Sequence, residues 1–156
     1  MDKHKDDLNT RQQLAGHTPL PENYQPPLVL YIEEDEYQTQ LVERTLEHIP
    51  ETRFISLLPT DAVLNIVLKE KPDLVLINLN LKGGMAFILM DQLKNHPMSR
   101  LTPVLGLCNS GKFHEAEKAR RAGVKQCLSQ PIKIYEFFET INAEIESILL
   151  QKKFLS

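Results

Sequence analysis

Polar side chains that could take part in chemistry follow four short apolar runs in this sequence. An acidic pair follows the first run, and two amides and a thiol stand at the ends of others: Glu33–Glu34, Asn78, Cys108 and Gln130. Paired carboxylates are ligands that hard divalent cations such as Mg²⁺ prefer. An amide can hydrogen-bond, but it is a poor nucleophile and carries no charge. These residues are the first candidates for a functional site.

Two interpretations of the acidic pair stay open. Glu33 and Glu34 could form a Mg²⁺ site, although two carboxylates on long arms should bind it weakly or not at all. Alternatively, they are solvated charges near the N-terminus of a following helix, where negative charge is favoured. Asp35 could be the N-cap of that helix. Apart from weak Mg²⁺, we expect no cofactor.

The two cysteines also allow two interpretations. Cys108 and Cys127 form no CxxC motif and no zinc-ligand spacing. They fall near the ends of neighbouring strands and could form a redox switch, which requires Cα atoms within about 7 Å of each other. The other interpretation is that they are small buried side chains that fill space in the core. We favour the second interpretation.

Five apolar runs alternate with helix-like segments and predict five repeated βα units. Continuous apolar runs suit strands buried on both faces of a parallel sheet. The longest helical stripe of apolar residues runs from Ile134 to Leu149, and Gly123 is a good C-cap for the helix before it. The predicted strands are Leu28–Ile32, Arg53–Leu57, Asp73–Asn78, Pro103–Cys108 and Lys125–Ser129. Such α/β sheets bind ligands beyond the carboxyl ends of their strands, where the polar residues above lie.

Length and composition fit one ordinary domain. The chain has 156 residues, of which 42% are hydrophobic and 25% charged, with a net charge of −3. This charge argues against nucleic acid as a partner. No apolar run could span a membrane and no secretory signal is evident, so a cytoplasmic location is expected. Residues 1–26 predict a flexible arm, residues 27–150 the domain, and residues 151–156 a short tail.

Several motifs occur together in a characteristic order between Pro27 and Leu150. After the acidic pair come a Pro-Asp-Leu-Val-Leu-Ile-Asn segment, a glycine pair, a Thr-Pro-Val-Leu-Gly-Leu segment, an Ala-Gly-Val segment and a Ser-Gln-Pro-Ile segment: Pro72–Asn78, Gly83–Gly84, Thr102–Leu107, Ala122–Val124 and Ser129–Ile132. In this order they resemble the receiver domain of two-component response regulators. The resemblance implies a flavodoxin-like, doubly wound α/β fold with a five-stranded parallel sheet in the order 2-1-3-4-5 and five helices.

The resemblance also assigns a role to each candidate residue. It places the Mg²⁺-binding acidic pair on Glu33 and Glu34, and the phosphoacceptor aspartate on Asn78. The position of the phosphoryl-contacting hydroxyl falls on Cys108, the switch aromatic on Cys127, and the phosphoryl-pairing lysine on Gln130. Receivers usually have a cis peptide bond where Gln130–Pro131 stands, so Pro131 is a cis candidate.

The substitutions predict a dismantled phosphorylation site. Phosphoryl transfer to a side chain needs a nucleophilic oxygen and a cation that offsets the charge of the transition state, and Asn78 and Gln130 supply neither. Together these two residues form a neutral pair that could hydrogen-bond directly. We therefore interpret Asn78, Cys108 and Gln130 as a degenerate site held in one state.

A second surface is predicted on the fourth helix, fifth strand and fifth helix. It carries the cations Arg120, Arg121, Lys125 and Lys133. The resemblance makes it a candidate face for homodimers and targets. Interspersed glutamates also allow an ordinary solvated surface, where ion pairs contribute little.

The functional expectation is a stand-alone atypical receiver, not an enzyme, that acts in phosphorelay signalling through phosphorylation-independent protein binding. Candidate partners are a histidine kinase, a phosphotransfer protein, another receiver or a downstream regulator. Two alternatives stay open: a phosphorelay receiver with a non-standard acceptor, and a small redox- or ligand-sensing flavodoxin-like protein. No glycine-rich phosphate loop supports the latter.

Overall fold

The computed structural model describes residues 19–109 and 113–155 and has the predicted alternation of strands and helices. The strands are β1 (Leu28–Ile32), β2 (Arg53–Leu57), β3 (Leu74–Asn78), β4 (Val104–Asn109) and β5 (Gln126–Gln130). The helices are α1 (Glu36–Glu47), α2 (Val63–Glu70), α3 (Met85–Lys94), α4 (Phe113–Arg121) and α5 (Ile134–Leu150). A 3₁₀ turn at Lys82–Gly84 precedes α3, and a π-helical turn at Gln151–Leu155 continues α5.

All strands pair in parallel in the order β2-β1-β3-β4-β5, which confirms the predicted fold class. The expected strand ends differ by one residue at five places: β3, β4 and β5 begin one residue later than expected, and β4 and β5 also end one residue later. β3 begins one residue later than expected, because the Asp73 side chain accepts a hydrogen bond from the Leu28 backbone N–H at 2.8 Å. β4 and β5 each reach one residue further, because Asn109 pairs with Gln130 at the end of their ladder.

The sheet separates two hydrophobic layers. Alternate residues of β1 enter opposite layers: Leu30 and Ile32 pack with α2, α3 and α4, whereas Val29 and Tyr31 pack with α1 and α5. Every residue of β1 and β3 is buried, as expected for central strands covered on both faces. This packing fixes the directions in which the ends of β1 and β3 leave the sheet, and these ends carry the candidate site.

Local signals set the ends of two helices. The Asp35 side chain accepts a hydrogen bond from the Gln38 N–H at 2.8 Å, so Asp35 is the N-cap of α1, as the sequence predicted. After α4, Gly123 has φ of +106°, a backbone conformation that glycine adopts without the strain of a side chain. Its N–H donates to the Arg120 carbonyl at 3.0 Å.

Residues 24–25 and 152–153 meet at the amino edge of the sheet, opposite the candidate site. Lys152 Nζ donates to the Gln25 carbonyl at 3.1 Å and lies 3.4 Å from Asp73 Oδ1. Glu51 accepts hydrogen bonds from the Tyr24 hydroxyl at 3.0 Å and from Lys153 Nζ at 3.2 Å. We call these six residues the terminal clasp. Residues 1–18 of the predicted arm, and residue 156, lie outside the described residues.

Candidate functional site

The carboxyl edge of the sheet brings together Glu33, Asn78, Gln130 and Cys108, as the sequence predicted from their positions after the strands. Glu33 directly follows β1, whereas Asn78 and Gln130 are the last residues of β3 and β5. Cys108 is the penultimate residue of β4. In a parallel sheet all these ends lie on one side, so short side chains reach one another.

Glu33 is the centre of the site and is almost fully buried. One carboxylate oxygen, Oε2, accepts hydrogen bonds from the Asn78 side-chain amide at 2.7 Å and from the Glu34 backbone N–H at 2.9 Å. The other, Oε1, accepts from the Tyr31 hydroxyl at 3.3 Å. Burial, and then the neighbouring Glu33 charge, raise the pKa of Tyr31, so its hydroxyl stays protonated and remains a donor. Three donors thus solvate a buried carboxylate.

The orientation of the Asn78 amide is fixed on both sides. Its Nδ2 donates to Glu33, and its Oδ1 accepts from the Asn80 backbone N–H at 2.8 Å. Turning the amide by 180° would set its NH₂ against an N–H and its oxygen against a carboxylate, so the flipped form is unfavourable. The nitrogen of Asn78, not its oxygen, faces the acidic residue.

Asn78 and Gln130 do not hydrogen-bond directly in the described residues, so that expectation is wrong. Asn80 lies between them, because the Asn78 oxygen is already used in a turn of the Asx type. The Asn80 side-chain nitrogen donates to Gln130 Oε1 at 3.5 Å. Asn80 was not among the candidate residues predicted from the sequence. The signal that could have identified it is an asparagine followed two residues later by another polar residue at a strand end.

The second member of the acidic pair makes a contact of its own with a neighbouring loop. Glu34 is half-exposed, and its Oε1 accepts a hydrogen bond from the Lys82 backbone N–H at 3.1 Å. It therefore connects the loop after β1 to the 3₁₀ turn before α3. No arrangement of three or more His, Cys, Asp or Glu residues suited to a metal ion occurs within the described ranges.

The two thiols approach each other, but their backbones do not. Cys108 is buried and pairs across the ladder with Ser129, whereas Cys127 is the second residue of β5 and pairs with Gly106. Cys127 is therefore not near the carboxyl end of its strand, contrary to expectation. This two-residue offset separates the Cα atoms by roughly 8 Å, given ordinary strand spacings. A disulfide spans less than that, so the geometry disfavours one without backbone movement.

The environment also makes Cys127 unreactive. Burial, and then contact with the Cys108 thiol, raise the pKa of Cys127 to about 12, so it is a neutral thiol at physiological pH. Cys108 Sγ donates weakly to the Leu128 carbonyl, with a sulfur–oxygen distance of 3.8 Å. The adjoining Gln130–Pro131 peptide bond is cis.

The basic surface on α4, β5 and α5 is largely paired with neighbouring glutamates. Arg120 and Arg121 both contact Glu117, and the Arg120 guanidinium holds the pKa of that carboxyl below its usual value. Lys125 forms an ion pair with Glu144 at 3.0 Å. Lys133, at the N-cap of α5, is exposed and has no side-chain partner in the described part of the chain. This surface therefore offers little unpaired charge.

A groove between α1 and α5 differs from the basic surface because it exposes apolar side chains. It encloses about 700 Å³ and is lined by Leu41, Arg44, Thr45, His48, Ile134, Tyr135 and Phe138. The Ile134 and Tyr135 side chains are 56% and 76% exposed. Arg44 is exposed and has no hydrogen-bond or ion-pair partner among residues 19–109 and 113–155. The groove thus combines exposed apolar side chains with an unpaired cation.

Comparisons with known proteins support the fold. No protein-family model and no curated protein sequence matches the chain. The signal receiver domain of a DNA-binding response regulator (merR) from Colwellia psychrerythraea 34H is similar in structure, with a TM-score of 0.70 and 19% identity over 77% of this chain and 98% of that one. The chemotaxis response regulator CheY4 of Vibrio cholerae gives 0.68 and 16% over 76% and 98%. The Mn²⁺-bound form of response regulator Rcp1 gives 0.61 and 20% over 81% and 96%.

Proposed function

We propose that this chain is a receiver-type signalling module of a two-component system that binds a protein partner without accepting a phosphoryl group. The observation that carries the proposal is the Asn78 amide, which occupies the acceptor position and is hydrogen-bonded on both sides. An amide nitrogen that donates a hydrogen bond to a carboxylate is not a nucleophile and cannot accept a phosphoryl group. Asn78, Cys108 and Gln130 therefore form a degenerate site without catalytic activity.

The similar structures support a signalling role. They include a chemotaxis response regulator and the signal receiver domain of a DNA-binding response regulator, and we carry the signalling role to this chain as a proposal. We expect an intracellular protein partner: a histidine kinase, a phosphotransfer protein, another receiver or a downstream regulator. Nucleic acid is not expected as a partner. No described helix is both long and apolar enough to cross a membrane, and we expect a cytoplasmic location.

The groove between α1 and α5 is the better candidate for the partner surface. Tyrosine and arginine dominate binding energy at many protein interfaces, and Tyr135 and Arg44 are both exposed there. Three of the four cations of the α4–β5–α5 surface would first have to leave Glu117 or Glu144, which reduces their gain on binding. A fitting partner is an amphipathic helix whose apolar stripe is bordered by carboxylates, because Arg44 and His48 lie on the groove wall.

The test measures partner affinity with and without a phosphodonor. Purified kinase, phosphotransfer and receiver domains from the source organism are titrated calorimetrically against this chain, before and after incubation with acetyl phosphate and Mg²⁺, while mass spectrometry follows phosphorylation. We expect an unchanged mass and the same dissociation constant under both conditions. The Arg44→Glu variant should weaken binding by about tenfold or more, as expected for loss of one interface anchor.

The matched control is Arg100→Glu, which reverses another exposed arginine far from the groove. Its affinity should equal that of the wild type. A mass increase of one phosphoryl group would contradict the proposed function. Equal weakening by both variants would place the partner surface elsewhere, and a self-association sensitive to Arg44→Glu would identify a second copy of the chain as the occupant.

A further inference from the structure

The contact between Asn78 and Glu33 is a buried amide–carboxylate pair at the end of two central strands. The nitrogen–oxygen distance is 2.7 Å, and the Glu33 side chain is 2% exposed. A buried carboxylate requires donors or a cation around it, because its charge is costly outside water. Here the donors are all supplied by the chain itself.

A hard divalent cation has little to bind at this place. Both lone pairs of Glu33 Oε2 receive hydrogen bonds, from Asn78 and from the Glu34 N–H. Glu34 directs its Oε1 to the Lys82 N–H. Mg²⁺ requires several oxygen ligands in near-octahedral geometry, and the amide NH₂ presents hydrogens where it would need oxygens. The residues present therefore do not fit the metal that the fold resemblance implies.

We propose that the Asn78 side-chain amide takes the place of a divalent cation beside Glu33, so that the native site is cation-independent and the single change Asn78→Asp creates a cation site. The inference rests on the proposed function only in taking Asn78 as unable to accept a phosphoryl group. It adds that the site has replaced an exchangeable metal by a permanent hydrogen bond.

The geometry predicts how Asn78→Asp changes stability without and with a bound cation. In Asn78→Asp a carboxylate oxygen replaces the nitrogen 2.7 Å from Glu33 Oε2, so a hydrogen bond becomes a repulsion between like charges. A cation between Glu33 and residue 78, with Glu34 nearby, would relieve that repulsion. Because such a cation would bind only the folded chain, it would raise the stability of the variant.

The experiment is thermal unfolding without any phosphodonor, in MgCl₂ from zero to about 10 mM, with NaCl added to hold the ionic strength constant. The wild-type Tm should change by less than about 1 °C. Asn78→Asp should unfold at a lower temperature than the wild type without Mg²⁺ and should gain about 5 °C or more with it. MnCl₂ should act in the same direction.

The matched control is Asn142→Asp on α5. The Asn142 side-chain nitrogen also donates to a glutamate, Glu146, at 3.4 Å, but this pair is on the surface. The control therefore creates the same pair of carboxylates where water screens them, and its Tm should show no Mg²⁺-specific increase.

A Mg²⁺ response of the wild type equal to that of Asn78→Asp would overturn the inference, as would a folded Asn78→Asp that ignores both cations. If the variant does not fold, Mn²⁺ binding to the wild type, followed by electron paramagnetic resonance, decides the question. No bound Mn²⁺ at about 1 mM supports the inference, and bound Mn²⁺ that Glu33→Gln removes contradicts it. Phosphorylation of the wild type would overturn the proposed function instead, so the two failures are distinguishable.

Discussion

Glu33 shows how one buried carboxylate can organise a site through hydrogen bonds alone. Its two oxygens accept from Tyr31, Glu34 and Asn78. The donors also gain, because an unpaired N–H in this buried place would cost about 1–3 kcal/mol. Glu33, which was a candidate metal ligand from the sequence, thus contributes to the stability of the fold through its hydrogen bonds.

The residue-scale prediction compares Glu33→Gln with Glu33→Ala. Glutamine can present its carbonyl oxygen to Asn78 and Glu34 and its NH₂ to the Tyr31 oxygen, so its unfolding free energy should stay within about 1 kcal/mol of the wild type. Alanine leaves the donors unpaired and a cavity behind, and should cost about 3 kcal/mol or more. Urea unfolding measures both.

Equal losses in the two variants would contradict the prediction. They would show that the charge of Glu33 matters more than its hydrogen bonds. Because both variants retain Asn78, this result would concern the role of Glu33 and would not test the inference about Asn78.

At the scale of elements, β4 packs closely at Gly106 against the side chain of Leu79, the residue that follows β3. A Cβ added there would lie 2.6 Å from Leu79 Cδ1, 2.9 Å from Leu79 Cγ and 3.2 Å from Val124 Cγ1. Leu79 stands between Asn78 and Asn80 in the chain. The packing of β4 therefore holds the turn that carries the two asparagines.

Gly106→Ala should lower the free energy of unfolding by about 1–3 kcal/mol, the usual cost of overpacking a core. The control is a double-mutant cycle with Leu79→Ala, which removes the atoms that the new methyl group would meet. In that background the cost of Gly106→Ala should fall markedly. Additive losses in urea unfolding would mean that the cost arises from another neighbour, such as the Val124 side chain, and not from Leu79.

At the scale of the whole molecule, the terminal clasp joins residues 24–25 and 152–153 to the amino edge of the sheet, far from the candidate site. The hydrogen bond from Lys153, with a further one from Tyr24, lowers the pKa of Glu51 although partial burial opposes the shift. A carboxyl with a lowered folded-state pKa stabilises the fold above its unfolded value, and this contribution is lost as the pH falls through the folded value.

Glu51→Gln should therefore reduce stability at pH 7 by roughly 0–1 kcal/mol, as is usual for an exposed ion pair. The difference from the wild type should shrink as the pH is lowered below about 4, because the wild type then loses the same charge. Thermal unfolding at pH 7 and at about pH 3.5 measures this. Glu47→Gln, an exposed change on α1 outside any described ion pair, is the control and should show no such convergence.

Much of the fold could be read from local patterns. The five predicted strands agree with the structure within one residue at each end. For β1, β3 and β4 the reason is that almost continuous burial leaves a strong signal in sequence. Asp35 and Gly123 ended their helices as expected, because a cap depends on neighbouring residues in the chain. The strand order required the family resemblance, because local patterns do not specify which strands pair.

The candidate site was only half determined in this way. The sequence by itself placed Glu33, Asn78 and Gln130 at one edge of the sheet, because parallel strands of known direction must end together. Only the tertiary structure decided that Asn80 separates Asn78 from Gln130 and that Cys127 lies two residues out of register with Cys108. It also decided that Arg120 is paired, whereas Arg44 has no ion-pair partner among the residues that the structure describes. These outcomes depend on side-chain directions and ladder register between distant segments, and both are set by packing across the sheet.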